Sequence, residues 1–160
     1  MKRNDLFGYL LGLVLFVLVI PLGMWLLAGR PAPGGFGAVC FAVFGVIGIG
    51  LSLWSIVYMR LVGKGNPMDA FDHELAPRTR VLMTEGPYRL CRNPMLLGVF
   101  LYDSGLLICL WSWKALAVFA VYAALMMRQV ASEEKRLERD FGEAYLAYKA
   151  KTRKLIPFLW

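Results

Sequence analysis

Two short segments of the chain carry residue types whose pairing could do chemistry. The first is Gly86-Pro-Tyr-Arg-Leu-Cys-Arg-Asn-Pro94 and the second is the acidic doublet Glu133-Glu134. Asn is a strong helix N-cap and Pro is preorganised for the first helical turn, so Asn93-Pro94 marks a helix start. The unpaired backbone NH groups of such a start, beside Arg92, attract an anion. Standing alone, this segment reads as a cap next to a snorkelling arginine. Adjacent carboxylates brought beside it would make a mixed-charge pocket, suited to a ligand with one anionic part and one hydroxylated or cationic part. By spacing alone the same acids serve as helix-surface partners, Glu133 with Arg136 at i+3.

Other chemistries are poorly supported. His73 is the only histidine, and Cys40, Cys91 and Cys109 form no CxxC pair. These residues argue against a zinc cluster, a disulfide framework or a Ser-His-Asp triad, and no metal-ligand set is expected. Of 160 residues, 59% are hydrophobic and 18% charged, with a mean hydropathy of +0.57. A soluble domain carries about 25% charged residues, so the chain reads as a membrane protein. The net charge of +7, from 18 Lys and Arg against 11 Asp and Glu, fits basic residues held against anionic headgroups. Nucleic acid is not expected as a partner.

The elements that must position the two segments follow from the apolar runs. Spans are expected at about 6–29, 36–60, 94–110 and 114–131, in one domain covering 1–160. The first opens on Met-Lys-Arg but is too long for a signal core and lacks an A-x-A site, so it is expected to stay uncleaved. Gly45, Gly48, Gly50, Ser52 and Ser55 in the second span allow a neighbouring helix to approach closely. Residues 63–93 form a polar connector of a length that is usually functional or disordered. The last two spans form a tight hairpin about Trp111-Ser112-Trp113-Lys114. A tail helix over 132–150 carries Leu137, Phe141, Ala144, Tyr145 and Tyr148 as one apolar stripe. The distribution of Lys and Arg places both termini and the connector in the cytoplasm. The expected fold class is therefore an all-α integral membrane protein with four transmembrane helices, a cytoplasmic connector and a C-terminal amphipathic helix.

Asp103 lies inside the third span, where an ionisable group costs roughly 2.5 to 3.5 kcal/mol on insertion scales and tends to face protein or a wet cavity. It reads either as a proton acceptor or amine contact in a lipid-accessible tunnel, or as a protonated packing residue. Tyr102 and Trp111 read as packing and interface residues.

GPYRLCRNPMLLG, followed by EEKRLERDFGEAYLAYKAKTRKLIPF, resembles the GPY-x-x-x-RHP-x-Y-x-G and EE-x-x-L-x-x-x-FG-x-x-Y-x-x-Y motifs of the isoprenylcysteine carboxyl methyltransferase family. Phospholipid N-methyltransferases share much of this pattern, and the likeness runs from about Gly63 to Phe158. The resemblance implies S-adenosylmethionine as cofactor, S-adenosylhomocysteine as product, and a site at the cytosolic face of the membrane, the inner membrane in a prokaryote. It implies cofactor contacts from Tyr88, Asn93, Pro94, Met95, Leu96 and Glu133. Counting back without gaps adds His73 and the strip Arg80, Val81, Leu82 and Met83. Arg92 is expected to meet the cofactor carboxylate, Glu133 or Glu134 its ribose, and Tyr88 with residues 81–83 its adenine. The family's substrate-side arginine falls at Gln129, with Arg128 adjacent; these two and Asp103 are the candidate catalytic residues.

Three departures bear on substrate choice. The usual His is Asn93, the usual Tyr is Leu96, and the usual Arg is Gln129. Together they leave cofactor binding more intact than recognition of a carboxylate. The implied function is methylation of a lipophilic substrate arriving laterally from the bilayer, such as a prenylated cysteine carboxylate. A phospholipid amine is the alternative acceptor, and a non-catalytic membrane relative is a further alternative. The distantly similar sterol reductases use a nicotinamide cofactor, which the acidic doublet disfavours. Membrane lipids are the expected surroundings, and oligomeric state is not legible.

Overall fold

A computed structural model describes residues 12, 14–32, 34–63 and 81–157, with the backbone of 69–70 and 73–74. The architecture is helical. Helix α1 is Val14–Leu27, α2 is Gly35–Gly63, α3 is Pro94–Leu110, α4 is Trp113–Phe141 and α5 is Glu143–Lys151. A two-residue ladder pairs β1 (Asp69–Ala70) with β2 (His73–Glu74) in antiparallel register, and Gly86–Arg89 form one 3-10 turn. By length and composition α2 and α4, 29 residues each, are long and apolar enough to cross a membrane, while α1 and α3 are apolar but shorter. Most of the α2 and α4 surface is not covered by the protein, which suits lipid as the solvent.

The helix ends follow local rules. Pro94 opens α3 at its first position, where its missing NH costs nothing. Trp111 closes α3 in the left-handed region at φ 44°, its NH bonded to Leu107 at 3.0 Å. Only Trp111 and Ser112 separate α3 from α4. Gly142, at φ 52° and ψ −129°, separates α4 from α5 in a conformation that side chains resist. The acidic doublet therefore lies inside the long α4, and the helix expected over 132–150 is divided at Gly142. The apolar stripe survives the break, because Leu137 and Phe141 of α4 still pack with Tyr145 and Tyr148 of α5.

Asn93 does not cap α3 through its side chain. Its amide is drawn away by Lys154, to whose carbonyl it donates at 2.8 Å. The helix start is right and the capping chemistry is not.

α2 and α3 pack backbone to backbone. A Cβ on Gly98 would sit 2.4 Å from the Gly48 carbonyl oxygen and 2.3 Å from the Ser52 hydroxyl. A Cβ on Gly48 would meet the Gly98 carbonyl oxygen at 2.3 Å. Ser52 donates its hydroxyl to the Met95 carbonyl at 3.0 Å, which ties α2 to the first turn of α3. Gly50, by contrast, faces open space. Across the other side of α3, Phe100 packs edge-on against Phe119 and Tyr122 of α4, and Leu155 of the tail joins that cluster.

Gly98→Ala should therefore lower the thermal midpoint of the detergent-purified protein by the equivalent of about 1 to 3 kcal/mol, the usual cost of overpacking. Gly50→Ala should leave the midpoint unchanged or raise it slightly, since Ala is the better helix former.

Candidate functional site

The site is built where the residues leading into α3, the C-terminal third of α4 and the tail meet. Arg92 is its centre. Its Nε donates to Glu134 Oε1 at 2.7 Å, with both side chains over 90% buried. Its other guanidinium bonds run to the carbonyls of Lys149, at 3.2 Å, and Thr152, and its backbone NH donates to the Arg153 carbonyl at 2.8 Å. Lys154 Nζ approaches the second Glu134 oxygen at 3.3 Å. The two segments singled out by their chemistry thus touch directly, across 42 positions of sequence.

This arrangement changes the roles of individual side chains. Arg92 is buried rather than snorkelling, and its bonds run to protein atoms. Glu134 is held from both sides by cations. Glu133, one position along, is 41% exposed at its side chain and lies 3.8 Å from Arg136, the i+3 partner expected from spacing. Of the two acids, Glu133 is the one presented to the outside.

Beside this charged centre lies an aromatic cluster. Tyr88, Tyr145 and Tyr148 are buried, with Tyr58, Met59, Leu82, Met83, Leu137 and Phe141 packed around them. Gly86 enters the turn before Tyr88 at φ 62°, and a Cβ there would strike the Tyr58 ring at 2.6 Å. Tyr148 donates its hydroxyl to the Tyr88 carbonyl at 2.7 Å, and Thr152 caps the end of α5 by donating to the Tyr148 carbonyl at 2.8 Å. Burial pushes the pKa of Tyr145 and of Tyr148 well above the usual phenol range, so both stay protonated, with the Glu134 charge adding to the effect on Tyr145. Burial also pushes the Cys91 thiol up to about 11, against smaller opposing effects of its backbone hydrogen bond at Asn93 and of the Arg92 charge.

The structure therefore gathers Tyr88, Leu82 and Met83 in the aromatic cluster and Arg92, Asn93, Glu133 and Glu134 at the charged centre. Met95 receives the Ser52 bond at the head of α3, next to the buried Pro94. Leu96 turns the other way, into the cluster of Phe100, Tyr122 and Leu155, and Val81 is exposed. Gln129 lies half-buried one helical turn before Glu133, and Arg128 is exposed. Asp103 is fully buried on α3, and neither of its carboxylate oxygens has a hydrogen-bond partner among the described residues. Arg80 lies outside the described residues, and for His73 only the backbone is described, in β2.

Two contributors were not foreseen as site residues. Lys154 and the carbonyls of 149–153 close the charged centre, although nothing in a basic tail signals carbonyl acceptors. Tyr145 appeared only as a packing position; its i+3 spacing to Tyr148 was the available signal. Among the described residues no group of three or more His, Cys, Asp or Glu could hold a metal ion.

Residues 36–144 match the phospholipid methyltransferase family. The chain belongs to that family. It is also similar to the protein-S-isoprenylcysteine O-methyltransferases of Mus musculus and Rattus norvegicus, at 33% identity over 82 residues in each case. Those alignments cover 51% of this chain and 29% of each relative, so the chain matches less than a third of their length.

Removing Arg92 leaves the buried Glu134 with Lys154 alone and strands the tail carbonyls that the guanidinium meets. Arg92→Ala should destabilise the protein by about 3 to 5 kcal/mol, read as loss of midpoint in a denaturant titration, whereas Arg136→Ala should cost less than about 1 kcal/mol. Cys91 is fully buried with its thiol near 11. At pH 8 roughly one part in a thousand is thiolate, so it should resist maleimide until the protein is unfolded.

Proposed function

We propose that the protein is an S-adenosylmethionine-dependent methyltransferase acting on a lipophilic substrate, such as a prenylated cysteine carboxylate, that reaches the site from the bilayer. We place the apolar segments as four spans, with α3 and α4 as a hairpin and the site on the cytoplasmic face. The observation that carries this reading is the Arg92–Glu134 contact, because it joins the two motif segments into one site.

The residues present suit the cofactor. An adenine has a flat apolar ring, and Leu82, Met83 and Tyr88 provide an apolar wall. Its ribose carries hydroxyls, for which the part-exposed carboxylate of Glu133 is an acceptor. The amino-acid carboxylate suits the head of α3, where the NH groups of Met95 and Leu96 have no intrahelical acceptor. Bound in this way, S-adenosylmethionine supplies an electrophilic methyl group. Arg92 acts as a positioning residue, holding Glu134 and the tail so that Glu133 and the α3 terminus keep their separation. Gln129 and Arg128 lie on the substrate side of α4. Asn93 supports the wall through Lys154 rather than by touching the ligand. The chain's contribution to catalysis is to bind and orient two ligands and to exclude water.

A second reading is favoured by Asp103. A buried carboxylate without a hydrogen-bond partner is costly unless it is neutral or meets a cation. A lipid amine must give up a proton before its lone pair can attack, and Asp103 would accept it.

Binding of S-adenosylhomocysteine to the purified protein, followed by calorimetry, tests the common core of both readings. Glu133→Ala should weaken it at least about tenfold, as expected for a hydrogen bond to a charged group. No saturable binding by the wild type would defeat the enzyme reading. Labelled methyl donor offered with a farnesylcysteine analogue or with phosphatidylethanolamine separates the substrates. Asp103→Asn should abolish transfer to the amine while leaving transfer to the carboxylate unchanged.

A further inference from the structure

Tyr145 carries a group that the packing of the protein does not use. Its side chain is 1% exposed, yet its hydroxyl has no hydrogen-bond partner among the described residues. The ring is fixed in place, edge-on to Tyr148 at 6.1 Å and set in the cluster with Leu82, Met83 and Tyr88. The charged and polar groups that act on the hydroxyl are Glu134, Arg92, Glu133 and Tyr148. None of them satisfies it. Glu134 has one oxygen on Arg92 and the other on Lys154, and the Tyr148 hydroxyl is turned to the Tyr88 carbonyl.

A phenylalanine would fill the same volume without burying an unpaired polar atom, so stability does not explain the hydroxyl. Its position does. It stands in the aromatic cluster that holds the apolar wall, and within the electrostatic reach of the acidic doublet. A nucleoside presents the matching sequence of parts, a flat ring joined to a hydroxylated sugar. A phenol can donate to a sugar hydroxyl and also accept from it.

We propose that the Tyr145 hydroxyl is a ligand-binding group of this site, and that its partner is a sugar hydroxyl of a bound nucleoside. The inference rests on the cofactor reading given above and adds a residue to it. Tyr145 and Tyr148 thereby divide the work of two similar side chains. Tyr148 locks α5 to the turn at Tyr88, and Tyr145 waits for the ligand.

The test is calorimetric titration of wild type, Tyr145→Phe and Tyr148→Phe with S-adenosylhomocysteine and its 2′-deoxy and 3′-deoxy analogues, together with thermal midpoints. Tyr145→Phe should bind S-adenosylhomocysteine about threefold to tenfold more weakly than wild type, with a midpoint unchanged or raised. Against the deoxy analogue that lacks the partner hydroxyl, the two proteins should bind equally. Tyr148→Phe should lower the midpoint. Equal affinity of Tyr145→Phe and wild type would overturn the proposal while leaving the cofactor reading intact. A loss that persists undiminished with both deoxy analogues, or one accompanied by a midpoint as low as that of Tyr148→Phe, would also overturn it. Failure of the wild type to bind at all would overturn both.

Discussion

The arrangement of the site depends on one buried ion pair. Arg92 and Glu134 are held at 2.7 Å with little solvent around either, and such a pair survives only if the remaining donors and acceptors are also met. They are met by the tail. Carbonyls of Lys149 and Thr152 accept further hydrogen bonds from the guanidinium, and Lys154 pairs with the second carboxylate oxygen. Displacing Glu134 would take away the carboxylate that faces the buried Arg92, and displacing Arg92 would leave Glu134 to Lys154 alone and the tail carbonyls unmet. The pair therefore fixes three things at once: the head of α3, the C-terminal third of α4 and the path of the chain after α5.

That local lock needs a scaffold to hold its parts at the right height. In lipid, helices gain little from burying apolar surface against each other, and close backbone approach supplies the contact instead. Gly48, Ser52 and Gly98 provide it between α2 and α3, and the Ser52 bond to Met95 sets the level of the α3 head against α2. The charged centre sits at the end of this seam, so a side chain added well inside the apolar layer would displace the residues at its boundary.

Much of this is legible in the sequence. Long apolar runs imply helices, and Asn93-Pro94 marks the start of α3 because proline geometry is local. The small residues of α2 pointed to close packing, though which of them faces a partner is decided by helix rotation: Gly48 meets α3 and Gly50 does not. Contact between the Arg92-Asn93-Pro94 segment and the acidic doublet is implied by the hairpin of the last two spans and by the family resemblance, since spacing alone reads the acids as helix-surface partners. The division of labour within the doublet is not legible, because neighbouring helical positions point in different directions and only packing decides which is buried. The same holds for Asn93, a good cap by propensity that finds a better partner in a tail carbonyl. The break at Gly142 was hidden because the apolar stripe continues across it.

Hydrogen-bond satisfaction separates the polar side chains of this protein into two kinds. Arg92, Glu134, Tyr148, Ser52 and Thr152 have partners within the chain, and each joins two segments or ends a helix. Asp103, Tyr122 and Tyr145 are as deeply buried and have none among the described residues. A fold selected only for stability would replace such groups by apolar ones of the same shape, at a gain. Their retention is intelligible if the missing partner arrives from outside, a nucleoside near Tyr145 and a cationic or protonated group near Asp103. The two sets of unmet groups lie apart in the fold, one in the cluster beside the charged centre and one on α3 about nine residues from its head. On the proposed reading, a two-substrate reaction at a membrane surface would use that separation, a polar ligand entering from the water side and a lipophilic one from the bilayer.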